Sequence, residues 1–234
     1  MCLNNWGGID HKVLEFHEYV NLFSGKSGSG KSTVMDAIQV ILYGSFSPSF
    51  LNKAADDAKN RRSVLSYLRG EQKDGSANRK DCDFCSVIAL EIEDTGTHII
   101  TCIGIAFEVR KSDSEIKKFV YFSHSGKMPE SEYLTEQGVC YSNQEIKKLV
   151  SARTKSDDNR GKGEVNRIYG SKEAYLGTLY DVILGYIDQN RFITMEKSAI
   201  ALKMTNGTGQ FIRDYMFPKN TSNTIATISE QLDS

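Results

Sequence analysis

Gly25-Lys26-Ser27-Gly28-Ser29-Gly30-Lys31-Ser32 decides how this chain is read. The stretch satisfies G-x-x-x-x-G-K-[ST] at every fixed position, and Thr33 follows it. Each residue type has a physical reason to be there. Glycines let consecutive backbone N–H groups curl around a phosphate without Cβ collisions. Lys31 carries a point charge on a mobile stem that can reach the outer phosphates of a nucleotide. The Ser32 hydroxyl is a hard oxygen of the kind that ligates Mg²⁺. A chain of this length meets the pattern by accident on the order of 1% of the time. Gly25, Lys26, Ser27, Gly28, Ser29, Gly30, Lys31, Ser32 and Thr33 are therefore the candidate nucleotide-binding residues, with Lys31 as the catalytic candidate and Ser32 as the metal ligand.

The flanks supply the context such a loop needs. Residues 12–23 mix β-branched and aromatic side chains in partial alternation and predict one or two strands leading into it. After it the period changes: Val34, Ala37, Ile38, Ile41 and Leu42 fall at helical spacing, and Gly44 closes the helix. That helix would aim its positive N-terminus at the same phosphate. Residues 45–80 are polar and basic, with eight Lys/Arg against four Asp/Glu between Lys53 and Lys80 and a short helix predicted over 63–68. Three strands follow, over 85–93, 98–109 and 117–124, broken by Asp94-Thr95-Gly96 and Lys111-Ser112-Asp113-Ser114, which predicts an antiparallel meander. Helices are expected over 143–152, with Ser142 or Asn143 as the cap, over 172–184, and briefly over 209–216. The mildly basic run 147–172 includes a solvated linker at 154–162. Ile225, Ile228 and Leu232 give the last residues an apolar helical seam.

Composition excludes several classes. The 234 residues hold 29 Lys plus Arg against 30 Asp plus Glu, a net charge of −1, which is not the charge of a histone-like cationic binder. With 39% hydrophobic and 10% aromatic residues, the chain is too apolar for disorder. Mean hydropathy is −0.40 and no apolar run approaches a membrane span, so a cytoplasmic chain without membrane contact is expected. The opening residues lack the pattern of a secretory signal. Five cysteines in a chain of this size do not suggest a disulfide scaffold. Cys82-Asp83-Phe84-Cys85 has knuckle spacing without a second pair to close a zinc tetrahedron.

A self-sufficient ATPase of this kind needs a second motif, an apolar strand ending in an acid. The nearest match, residues 87–94, is interrupted by Glu91, and no Leu-Ser-Gly-Gly signature occurs. The chain thus reads as half of an ATPase. Residues 24–39, through Asp36-Ala37-Ile38-Gln39, resemble the P-loop and following helix of ABC and SMC ATPases. Residues 50–55, 61–71 and 211–215 resemble the MukB/MksB-like branch, above all the ATP-binding SMC subunit of Wadjet-type plasmid-defence systems.

The resemblance implies an α/β fold, the N-terminal lobe of an ABC/SMC-type P-loop NTPase head over residues 1–218. That lobe would have a mixed sheet, an antiparallel β-meander insertion and a truncated coiled-coil root helix over 219–234. It implies ATP and Mg²⁺ as cofactors. Gln189, or less well Gln210, would serve as the metal- and nucleotide-sensing glutamine, and Arg61 and Arg62 would lie near nucleotide or DNA. Its implied partners are a C-terminal head half, a second head joined through ATP, a kleisin-type subunit and DNA, with hydrolysis driving DNA translocation in plasmid defence or chromosome organisation. Ser27 departs from the Asn usual at that position. Two other readings stay open from the residues alone: a self-contained P-loop kinase or NTPase acting on a small substrate, and a non-catalytic nucleotide- or DNA-binding module. Trp6, beside Gly7-Gly8, is a packing residue or an adenine neighbour.

Overall fold

A computed structural model describes residues 1–26, 28–47, 51, 63–72, 74–156 and 165–200. The chain forms two compact units, Met1–Asp188 and Gln189–Ser234.

The first unit is built on one six-stranded sheet. Its strands are β1 (Cys2–Trp6), β2 (Ile9–Val13), β3 (Phe84–Glu93), β4 (Ile100–Val109), β5 (Lys118–Ser125) and β6 (Arg167–Tyr169), in the order β2-β1-β3-β4-β5-β6. The expected meander is β3-β4-β5, with Ile88 opposite Ile105 and Ala106 opposite Val120. Gly104 is required where these strands cross most closely, because a Cβ there would lie 2.4 Å from the Ile88 carbonyl. The N-terminal hairpin β1-β2 escaped the sequence reading. Its signal is Trp6-Gly7-Gly8-Ile9, a two-residue glycine turn that pairs Trp6 with Ile9 and puts Gly7 at φ 58°.

Two expectations need correction. Residues 14–23, most of the 12–23 stretch read as one or two strands entering the loop, form no strand. The sheet is consequently not mixed: all five pairings are antiparallel. Both differences have one cause. A strand needs a neighbour to satisfy its ladder, and among the described residues no strand pairs with residues 14–23. That segment instead bends on itself. The Asn21 side chain accepts the His17 N–H at 2.6 Å and donates to the His17 carbonyl at 2.8 Å, and Phe16 meets Phe23 edge-on.

Helices cover both faces of the sheet. On one, α3 (Asn143–Ser156) places Ile146 and Val150 on Val87, Ala89, Ala106 and Phe122. Ser142 caps it as expected, its hydroxyl accepting the Glu145 N–H while the Glu145 carboxylate accepts the Ser142 N–H. This helix runs through Ser156, into the start of the stretch read as linker. On the other face α1 (Lys31–Tyr43) lies against β3 and β4, α2 (Val64–Arg69) against β1, and α4 (Lys172–Gly177) against β5 and β6. Ser63 caps α2 through the Ser66 N–H. The single helix expected over 172–184 changes register after Gly177 into a π-helix, Thr178–Ile183. The second unit is described through α5 (Gln189–Ile200). The expected short helix at 209–216 and the coiled-coil root at 219–234 lie outside the described residues. No helix among the described residues is long and apolar enough to cross a membrane.

Candidate functional site

The glycine-rich loop adopts the backbone its composition allows. Gly25, Gly28 and Gly30 take φ values of 153°, 85° and 88°, conformations that side chains with a Cβ disfavour. Gly30 is the N-cap of α1 and offers no side chain to its first N–H groups. The helical ladder begins with the Val34 N–H on the Gly30 carbonyl at 3.1 Å. The N–H groups of Lys31, Ser32 and Thr33 precede that bond, at the positive end of a 13-residue helix. Lys31 bends back over the loop, its Nζ donating to the carbonyls of Gly25 at 2.6 Å and Lys26 at 2.9 Å, and to Ser29 Oγ at 3.3 Å. Among the described residues it meets no carboxylate, so its charge is balanced only by carbonyl dipoles. Ser32 is exposed and Thr33 buried. An unpaired ammonium, uncapped N–H groups and an exposed hydroxyl fit a polyphosphate carrying a hard divalent cation.

A family model described as the P-loop containing region of AAA domain matches residues 1–58. The match supports a P-loop NTPase N-terminus over those residues. No curated protein matches the chain.

The P-loop helix is gripped at both ends by residues the motif does not contain. At its start Trp6 Nε1 donates to the Thr33 carbonyl at 2.9 Å, and the indole stacks on Tyr67 with centroids 5.0 Å apart. The Tyr67 hydroxyl in turn donates to the buried Asp36 carboxylate. Trp6 is thus a fully buried packing residue. Gly7 sits so close that a Cβ would lie 2.5 Å from Thr33 Cγ2. Arg79 fixes this turn by donating to the carbonyls of Gly7 and Leu68 and to Asp10. At the other end of α1, three tyrosines donate to carbonyls the helix leaves open: Tyr175 to Ile41 at 3.0 Å, Tyr180 to Leu42 at 3.0 Å and Tyr121 to Gly44 at 2.6 Å. The sequence reading had only a packing role for Trp6, because the contacts join residues up to 138 apart.

Ser27, Arg61, Arg62 and Gln210 lie outside the described residues. Gln189 opens α5, in the second unit. The stretch considered as an acidic motif is an ordinary hairpin strand. Asp94 Oδ1 accepts the N–H groups of Gly96 and Thr97 at 2.8 and 3.0 Å, bonds that hold its pKa below the usual carboxylate value, and Glu91 accepts the Met128 N–H. Cys82 is exposed and Cys85 half-buried, both as free thiols. Among the described residues no group of three or more His, Cys, Asp or Glu is placed to hold a metal.

Proposed function

We propose that this chain binds ATP as the N-terminal half of an SMC-like ATPase head of the MukB/MksB-like branch. In this reading it hydrolyses ATP only when a C-terminal half completes the head and a second head closes on the nucleotide. The observation that carries the nucleotide part is Lys31, an ammonium held over three left-handed glycines at the uncapped start of α1. Lys31 and the loop N–H groups would hold the β- and γ-phosphates, and Ser32 would present its hydroxyl to the cation. Mg²⁺ bound there would neutralise charge on the phosphate oxygens. Two features support an incomplete catalytic centre. Glu91 and Asp94 spend carboxylate oxygens on backbone N–H groups. Tyr19, Val20 and Leu22 are 79%, 77% and 89% exposed just before the loop, which suits a strand awaiting a partner sheet.

The finer parts of the reading rest on the sequence resemblance. These are residues 219–234 as the coiled-coil root, Gln189 as the sensing glutamine, Arg61 and Arg62 near nucleotide or DNA, a kleisin-type partner, and hydrolysis coupled to DNA movement in the cytoplasm. One experiment tests the core. ATP turnover is measured for the isolated chain and for the chain mixed with a C-terminal head fragment of an SMC-like protein of this branch. The expected result is binding without turnover alone, and turnover in the mixture that Lys31→Ala abolishes. Robust turnover by the isolated chain would overturn the half-head reading in favour of a self-contained P-loop enzyme.

A further inference from the structure

The phosphate loop has little of its own to keep it in shape. Gly25, Gly28 and Gly30 each take a conformation that glycine enters readily and leaves as readily. The bonds of Lys31 Nζ and of the Ser29 N–H end on atoms inside the loop. What aims the open N–H groups of Lys31, Ser32 and Thr33 at a ligand must therefore come from outside the motif.

Two aromatic rings reach the helix at that point. Trp6 Nε1 donates to the Thr33 carbonyl at 2.9 Å, and the Tyr67 hydroxyl donates to Asp36, about one turn further along α1. The rings lie 5.0 Å apart with 7° between their planes, and both are buried. Packing alone would be served by two phenylalanines. Instead both rings turn their polar edges to one helix, as donors that would be costly to leave unmet in the interior. The stack is braced from behind. The Gly7 N–H donates to the Tyr67 carbonyl at 2.8 Å, and the buried Arg79 donates to the carbonyls of Gly7 and Leu68. Gly7 in turn lies against Thr33, where a Cβ would come within 2.5 Å of Cγ2.

We infer, on the reading of the loop as a phosphate site, that Trp6 and Tyr67 are positioning residues for it. Through the Thr33 carbonyl and Asp36 they fix the first turn of α1. Its N–H groups and Lys31 then meet the β- and γ-phosphates without having to be ordered on binding. Their effect falls on the polyphosphate and not on the base, because the indole is fully buried and its N–H is taken by the helix.

The test uses the full chain with Mg²⁺ and two ligands, ATP and inorganic tripolyphosphate, which has the phosphates without the nucleoside. Titration calorimetry gives both affinities. Trp6→Phe and Tyr67→Phe each keep an aromatic ring and remove the donor. Each is expected to weaken both ligands by the same factor, about threefold to tenfold, the scale of one hydrogen bond. Ile146→Val, in the core on the opposite face of the sheet, should lower the urea midpoint comparably and leave both affinities unchanged. A merely structural role would make the ring variants behave like Ile146→Val, and that result overturns the inference. So does a loss confined to ATP, which would assign the indole to the nucleoside. Trp6 is the chain's single tryptophan, so its emission reads the same contact directly. Tripolyphosphate should change that emission, saturating at the calorimetric affinity. Emission unmoved at saturation overturns the inference, and this measurement decides alone if neither ring variant folds. If the unaltered chain binds neither ligand, the nucleotide reading fails and the inference with it. If it binds both and the ring variants match it, the inference alone fails.

Discussion

Among the described residues the Lys31 ammonium bonds only to atoms of its own loop, and this separates its role in binding from any role in folding. Lys31→Ala is therefore expected to leave the unfolding midpoint in place and to weaken ATP about tenfold to a hundredfold, the range for losing hydrogen bonds from a charged group. Titration with a fluorescent ATP analogue, alongside urea denaturation, measures both. His124 presents the opposite case, a titratable group that acts on the fold alone. Its Nε2 lies 2.9 Å from the Tyr133 hydroxyl and its Nδ1 3.0 Å from the Ser125 carbonyl, in a fully buried position. Desolvation lowers its pKa below the ordinary 6.5. The unfolded chain therefore takes up a proton first as pH falls, and stability present above about 6.5 is lost progressively below it. The urea midpoint should drop between pH 7.5 and pH 5.5, and His124→Gln should flatten that part of the profile; an unchanged slope in the variant would place the titration elsewhere. The loop residues were legible because a motif eight residues long is local. Asp36 and Tyr67 were not, and Trp6 was legible only as a packing residue, because their contacts form only when three distant segments meet at the start of α1.

At the scale of elements, α1 is the piece on which the site depends, and its C-terminal end is held by an arrangement of hydroxyls. A helix leaves its last carbonyls without internal partners, and Gly44 has no side chain to cover them. Tyr121, Tyr175 and Tyr180, from β5, α4 and the π-helix, donate there instead. Burial pushes the Tyr180 hydroxyl up to about 12, so it remains a donor at neutral pH. Tyr175→Phe and Tyr180→Phe keep the rings and remove the donors, and each is expected to cost about 1 kcal/mol in urea denaturation. The register change to a π-helix carries Tyr180 and explains why the apolar pattern over 172–184 predicts one uninterrupted helix: a single shifted turn leaves almost no trace in a periodicity. The meander, α2 and α3 were legible since alternation, turn residues and a capping box are written within each segment. The strand expected before the loop was misread for a related reason. Its side chains have strand character, but strandedness belongs to a pair, and among the described residues no strand pairs with it.

The unpaired segment before the loop bears on the whole molecule. A folded unit that buries Trp6, Phe107, Phe122 and Tyr175 completely has the means to hide apolar side chains, yet it leaves Leu22 and Val20 in water, three and five residues before the phosphate loop begins at Gly25. Their exposure suits a surface that another polypeptide covers, and α1 adds Met35, Ile38 and Leu42, at helical spacing and only half-buried. On the half-head reading these positions are where a complementary C-terminal half would pack. Leu22→Asp separates this from idle exposure. Because Leu22 is 89% exposed, the substitution should leave the unfolding midpoint and the ATP affinity of the isolated chain unchanged. In the mixture with a C-terminal head fragment, it removes about 1.5–3 kcal/mol of burial and adds an unpaired charge. The affinity between the two should then fall more than tenfold, and the stimulated turnover with it, as read by titration calorimetry and a phosphate-release assay. Full stimulation of the Leu22→Asp chain would mean that residues 19–23 stay in solvent in the assembled enzyme. Completion would then have to proceed through a surface other than the one that leads into the loop.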